Sequence, residues 1–136
     1  MAINLLNESV LKFTNTKMTA LASNLTIYDA VKAMTNSKVD SILVFEHSVI
    51  IGIITEKDII HDVVVKGLDP KKITIKKITK GPLITIQKDA TIRKALDIMK
   101  KHDIHRLVVK DKRPIGLITQ KTIYGNLKDS ILHYQK

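Results

Sequence analysis

With 136 residues and 44% hydrophobic content, the chain is long enough to bury a core without disulfides or a metal, and the lack of any cysteine excludes thiol catalysis, disulfide frameworks and every Cys-ligated metal site. The formal net charge of +10 must be solvated or face an anion, whether nucleic acid, an acidic partner or a phosphate. The first residues lack a basic, apolar signal-peptide pattern, and the apolar run over residues 49–54 is too short to cross a bilayer, so a cytoplasmic protein without membrane contact is expected.

In chain order, residues 1–9 read as an N-terminal lead-in helix. Ile27, Ala30, Val31 and Met34 then recur at i, i+3, i+4 and i+7, the spacing of an amphipathic helix with one buried stripe, with Asn24 placed to cap it. Two β-rich runs follow at residues 41–45 and 50–54, joined by Glu46-His47-Ser48-Val49 as an antiparallel hairpin, and a second helix starts at Glu56. The lysine-rich stretch 66–80, with Gly67 and Pro70, reads as a solvated linker.

The pattern then repeats. Thr26-Ile27-Tyr28-Asp29-Ala30 returns as Thr91-Ile92-Arg93-Lys94-Ala95 at an offset of 65, with Met34 matching Met99. Gly52-Ile53-Ile54-Thr55 returns as Gly116-Leu117-Ile118-Thr119 at an offset of 64. The second copy predicts a helix on Ile92, Ala95, Leu96 and Met99 capped by Asp89, strands at 106–109 and 115–118 around Asp111-Lys112-Arg113-Pro114, and a last helix from Gln120. The fold class is therefore mixed α/β (α+β): two β-α-β-β-α repeats at residues 10–66 and 75–134, with residues 67–74 as the linker. Neither repeat is expected to close a core alone, so the two should pack sheet against sheet.

The chemistry concentrates at strand ends. Where an apolar strand ends at Thr55 and a helix begins, free N–H groups suit a phosphate or hydroxylated ligand, and Asp58 offers a carboxylate for two vicinal hydroxyls. The same Thr-x-x-Asp spacing also fits a capping box that serves only the helix. His105 and Arg106, at a strand start, suit a phosphate or are two surface cations. The His102-x-x-His105 pair lacks an acidic third ligand at a recognisable spacing, no glycine loop or nucleophile elbow occurs, and the five aromatics are not interleaved with the lysines as base stacking requires. Catalysis is not expected, and nucleic acid is expected to bind only non-specifically if at all.

The doubled Thr-Ile-x-x-Ala helix, the hairpin and Gly-hydrophobic-hydrophobic-Thr-x-x-Asp together resemble paired cystathionine-β-synthase (CBS) domains, over roughly residues 10–130. The resemblance implies pseudo-twofold packing that leaves two ligand clefts. It assigns Thr55, Asp58, Thr79, Pro82, Ile84, His105 and Arg106 to a main cleft, with Asp58 on ribose and His105 and Arg106 on phosphate. It assigns Thr14, Lys17, Thr19, Ser41, Thr119, Lys121 and Thr122 to a weaker second one. There Thr122 stands where the ribose Asp should be, and Asp40-Ser41 replaces His-Arg. The implied ligand is AMP, ADP or ATP, with S-adenosylmethionine or NADH as other family ligands and no cofactor required. The implied assembly is a homodimer regulating an effector protein whose identity the sequence does not give. The rival classes are a ligand-free interaction or oligomerisation module and a basic nucleic-acid-associated accessory protein.

Overall fold

The computed structural model describes residues 5–134, with side chains through residue 127. Residues 1–4 of the expected lead-in helix lie outside the described residues; after them comes a turn in which the Glu8 N–H donates to the Leu5 carbonyl at 3.1 Å. The chain divides into two compact units: a continuous one, Met18–Leu83, and a split one drawn from the described parts of Met1–Lys17 and Ile84–Lys136.

The continuous unit holds β1 (Ala20–Ala22), α1 (Ile27–Ser37), β2 (Ser41–Glu46), β3 (Val49–Thr55), α2 (Glu56–Ile59), which widens into a π-helical turn over Ile60–Val64, and the short α3 (Ile75–Ile78). Its sheet runs β1-β2-β3, with β1 parallel and β3 antiparallel to β2. Ile27, Ala30 and Met34 from α1 meet Ile42, Val44 and Ile54 from the sheet in one buried cluster. Val31, expected on that stripe, is instead 39% exposed, because the buried face of α1 turns toward Ala33.

The split unit repeats the plan with β4 (Thr85–Gln87), α4 (Ile92–His102), β5 (Arg106–Asp111), β6 (Arg113–Thr119) and α5 (Gln120–Tyr134), in sheet order β4-β5-β6. Ile92, Ala95 and Met99 pack with Leu107, Val109, Ile118 and Ile123. Each unit buries an apolar cluster, and each cluster draws on both repeats: Val10 joins that of the split unit, and Ile75 and Ile78 join that of the continuous unit.

Three local expectations need correction. The helix caps are Thr26 and Thr91, not Asn24 and Asp89. Each threonine is the extended residue next to the first helical one, and its hydroxyl accepts the N–H of Asp29 or Lys94. The hairpin turns are shorter than four residues. His47 and Ser48 both adopt positive φ, as a two-residue turn of matching twist requires, so the strands extend to Glu46 and Val49. In the second hairpin only Lys112 separates the strands, and Pro114 is accommodated because β6 is an edge strand.

The third correction concerns the linker. Lys71, Lys72, Lys76 and Lys77 are exposed, but Ile73, Ile75 and Ile78 between them are buried in the continuous unit's cluster. This strap also satisfies N–H groups that the first turn of a helix leaves without partners. The N–H groups of Ile27 and Tyr28 at the start of α1 donate to the carbonyls of Ile73 (2.9 Å) and Pro70 (3.0 Å). Lys71 Nζ sits 4.8 Å from the centre of the Tyr28 ring, and Lys76 Nζ is 2.8 Å from Glu46 Oε1. In the split unit the segment around the 3-10 turn Val10–Phe13 does the same for α4: the N–H groups of Ile92 and Arg93 donate to the carbonyls of Glu8 and Leu6, both at 2.9 Å, and Val10 is fully buried.

Candidate functional site

In the continuous unit, β3 delivers Thr55 in extended geometry directly into α2. The Asp58 N–H donates to Thr55 Oγ1 at 3.2 Å and the Thr55 N–H donates to Asp58 Oδ2 at 2.9 Å, so the capping box is formed. This fixes the carboxylate through one oxygen and leaves Oδ1 with acceptor capacity. The N–H groups expected to be free at this helix start are partly spent, because the Glu56 N–H donates to the Asp40 carbonyl at 3.0 Å.

The strap runs back across this junction. Ile53 and Lys80 pair antiparallel, and the approach depends on Gly52: a Cβ there would lie 2.6 Å from Thr79 Cγ2 and 2.8 Å from the Lys80 carbonyl oxygen. Thr79 is thereby held beside β3, its hydroxyl donating to the Ile75 carbonyl at 2.8 Å, and Pro82 follows, exposed, after a cis Gly81–Pro82 bond. Lys80, which the repeat pattern did not single out, places Nζ 3.5 Å from Asp58 Oδ1 and 3.3 Å from Asp62 Oδ2. The hydrogen bond to Asp62, and then the Asp58 charge, raise its pKa above the ordinary 10.5. Ser41 is buried at the start of β2 opposite Thr55, and the Thr19 carbonyl accepts the Leu43 N–H at 2.9 Å.

The split unit holds the other assigned residues. Arg106 opens β5, half-buried and paired with Thr119, and exposed His105 precedes it. His105 Nδ1 lies 2.8 Å from Gln120 Oε1, whose amide Nε2 donates to the Tyr124 hydroxyl at 3.2 Å. The Ile84 side chain packs on the unit's apolar cluster, and its carbonyl accepts the Val108 N–H. At the β6–α5 junction, the Thr122 N–H and the Thr119 hydroxyl make a cap of hydroxyls rather than a carboxylate: Thr122 N donates to Thr119 Oγ1 at 3.1 Å, and the two hydroxyl oxygens are 2.9 Å apart. Thr14 and Asn15 are strapped over Gly116, with Asn15 pairing to Leu117. Lys17 is exposed, its N–H donating to Asn15 Oδ1 at 2.9 Å, and Lys121 is exposed on α5.

The structure therefore brings Thr55, Asp58, Thr79 and Pro82 into one unit, with Thr19 and Ser41. It places Ile84, His105 and Arg106 in the other, with Thr14, Lys17, Thr119, Lys121 and Thr122. Among the described residues no group of three His, Asp or Glu side chains is arranged to hold a metal, and no helix is long and apolar enough to cross a membrane.

A model of the CBS domain matches residues 10–65 and again residues 75–129. An uncharacterized protein of Methanocaldococcus jannaschii is 32% identical over 111 residues, covering 79% of this chain and 60% of the relative. The chain spans about half to three-fifths of the length of such curated relatives. An uncharacterized conserved protein from Pyrococcus horikoshii shares the fold with a TM-score of 0.81 at 21% identity, covering 89% of this chain and 92% of that one. A hexameric CBS-CP12 protein from bloom-forming cyanobacteria does so with a TM-score of 0.81 at 22% identity, covering 88% and 67%.

Proposed function

Because this chain belongs to the CBS domain family, whose paired domains are generally regulatory ligand-binding modules, we propose that it senses an adenine nucleotide, AMP, ADP or ATP, and catalyses nothing itself. The observation that carries the reading is Asp58. Its carboxylate is held by the Thr55 N–H through one oxygen, while the other meets only the side chain of an exposed lysine among its described partners. A fixed carboxylate with acceptor capacity to spare suits a vicinal diol. In this reading Arg106 and His105 contact phosphate. Action as a homodimer in the cytoplasm on an effector protein belongs to the same proposal, and self-association has a parallel in the hexameric cyanobacterial protein.

A thermal-shift panel of AMP, ADP, ATP, S-adenosylmethionine and NADH tests the ligand class, since a ligand at a hundredfold over Kd adds about 2.7 kcal/mol of stability. One equivalent should bind per chain far more tightly than any second, because Thr122 and Asp40-Ser41 replace the carboxylate and the cations in the second set. Adenosine should bind more weakly than AMP, with Arg106→Ala removing most of the difference. Asp58→Asn should weaken ribonucleotide binding by about 2 kcal/mol, and a cycle with the 2′-deoxy ligand should show coupling. Additive losses, with Asp58→Asn acting equally on both ligands, would return Asp58 to helix capping alone.

A further inference from the structure

Lys80 reaches Asp58 because the strap's backbone is paired to β3, and the pair it makes is shared: Nζ lies 3.5 Å from Asp58 Oδ1 and 3.3 Å from Asp62 Oδ2, while Lys66 Nζ flanks Asp62 at 4.0 Å. The lysine side chain is 67% exposed and both carboxylate side chains are 22% exposed, so the cation can leave more easily than the carboxylates can move.

The split unit supplies an internal comparison. At the repeat offsets Asp58 corresponds to Thr122, Asp62 to Asn126 and Lys80 to Asn15. All three charges are replaced together by neutral groups. Asn126 Nδ2 donates to the Thr122 carbonyl at 2.8 Å, and Asn15 Oδ1 accepts the Lys17 N–H. Yet the strap at Asn15 is held by the same antiparallel backbone pairing, to Leu117, over the same glycine position. An ion pair is therefore not what fastens a strap. The lysine accompanies the carboxylates.

We propose that Lys80 is the counter-ion of Asp58 in the unliganded protein and is displaced onto Asp62 when a vicinal diol takes Asp58 Oδ1, so that it sets the affinity for ribose-containing ligands. This rests on the reading of Asp58 as the ribose acceptor. Asp62 matters as much as Asp58, because it retains the ammonium near the junction once the diol is bound. The raised pKa of Lys80, caused first by Asp62 and then by Asp58, fits a cation shared by both.

An uncharged probe, adenosine, isolates the effect from phosphate attraction. Lys80→Met keeps the stem and removes the charge, and it should bind adenosine about two- to fivefold more tightly than the native protein at low salt, the range set by the worth of an exposed pair. In about 1 M salt, where the Debye length is about 3 Å, the two affinities should converge. A ligand-free measurement stands beside this. The Lys80 ammonium, followed by NMR through alkaline pH, should lose part of its raised pKa in Asp58→Asn and again in Asp62→Asn. If Lys80 titrates identically in the native protein and Asp58→Asn, the counter-ion role is refuted whatever binds. If adenosine binds Lys80→Met equally well or more weakly, displacement is refuted while the site stands. If the titration moves but adenosine binds neither protein, the nucleotide reading falls and displacement with it, leaving a static ion pair.

Discussion

Alanine at Gly52 would put a methyl carbon 2.6 Å from Thr79 Cγ2 and 2.8 Å from the Lys80 carbonyl oxygen. Carbon atoms attract best at about 3.5–4.0 Å, so the strap must retreat by about 1 Å or the sheet must bend. Retreat lengthens the Ile53–Lys80 pairing and drags the Lys80 side chain from Asp58. Such overpacking costs about 1–3 kcal/mol, offset by the roughly 0.5 kcal/mol that alanine gains over glycine through the unfolded chain. A net loss of about 1–2 kcal/mol should lower the melting temperature by roughly 3–8 °C for a chain of this size. Differential scanning calorimetry measures it, with Gly125→Ala as the control, because nothing lies within 4 Å of a Cβ there and the position is helical. Gly116→Ala, facing the Asn15 carbonyl oxygen at 2.5 Å, should fall at least as far as Gly52→Ala. A Gly52→Ala protein that melts with the native one, and keeps the Lys80 titration unchanged, would show that close approach to β3 does not position the strap.

Thr26→Ala removes the hydroxyl that accepts the Asp29 N–H and should cost about 1 kcal/mol, read as a lowered urea midpoint at unchanged slope. Met99→Ala, in the split unit's cluster and 1% exposed, should cost about 2–5 kcal/mol in the same assay. Glu46 is held below its ordinary value of 4.5 by hydrogen bonds from Lys76 and Ser23. Its contribution is therefore present above that value and fades as pH falls through the lowered folded value. Glu46→Gln should lose stability near neutrality and show a shallower acid decline below about pH 4.5 in pH-dependent melting.

The helices and hairpins were legible because their signals are local: Ile27, Ala30 and Met34, and again Ile92, Ala95 and Met99, repeat at helical spacing and are buried where that spacing puts them. The caps were missed by two residues because Asn24 and Asp89 are strong cap formers by type, whereas the position is decided by which residue stays extended beside the first helical turn. The strap was illegible for a different reason. Ile73, Ile75 and Ile78 scattered among lysines have no strong period of their own, and only the docking surface on α1 and β2 shows that they are core. Lys80 was missed with the strap. A signal for it did exist, in that Asp58, Asp62 and Lys80 are charged while Thr122, Asn126 and Asn15 are not. The capping box at Thr55 and Asp58 was foreseen as a competing role and is formed, engaging the Oδ2 atom of the Asp58 carboxylate.

The division of the chain into a continuous unit and a split one also sets a timetable for synthesis. Residues 18–83 carry their own strap, and every residue of their apolar cluster has been made by the time Leu83 is added. The segment around Val10 is made well before the residues on which it docks: its partners include Ala90, Thr91 and Leu117. With about 100 residues between Asn15 and Leu117, and elongation at about 5–20 residues per second, that segment waits roughly 5–20 s with Val10 and Phe13 unburied. Val10 and Phe13 are thus covered only after the surface they dock on has been made, and the interval in which a nascent chain is open to misassociation or to a chaperone is written into the order of its segments.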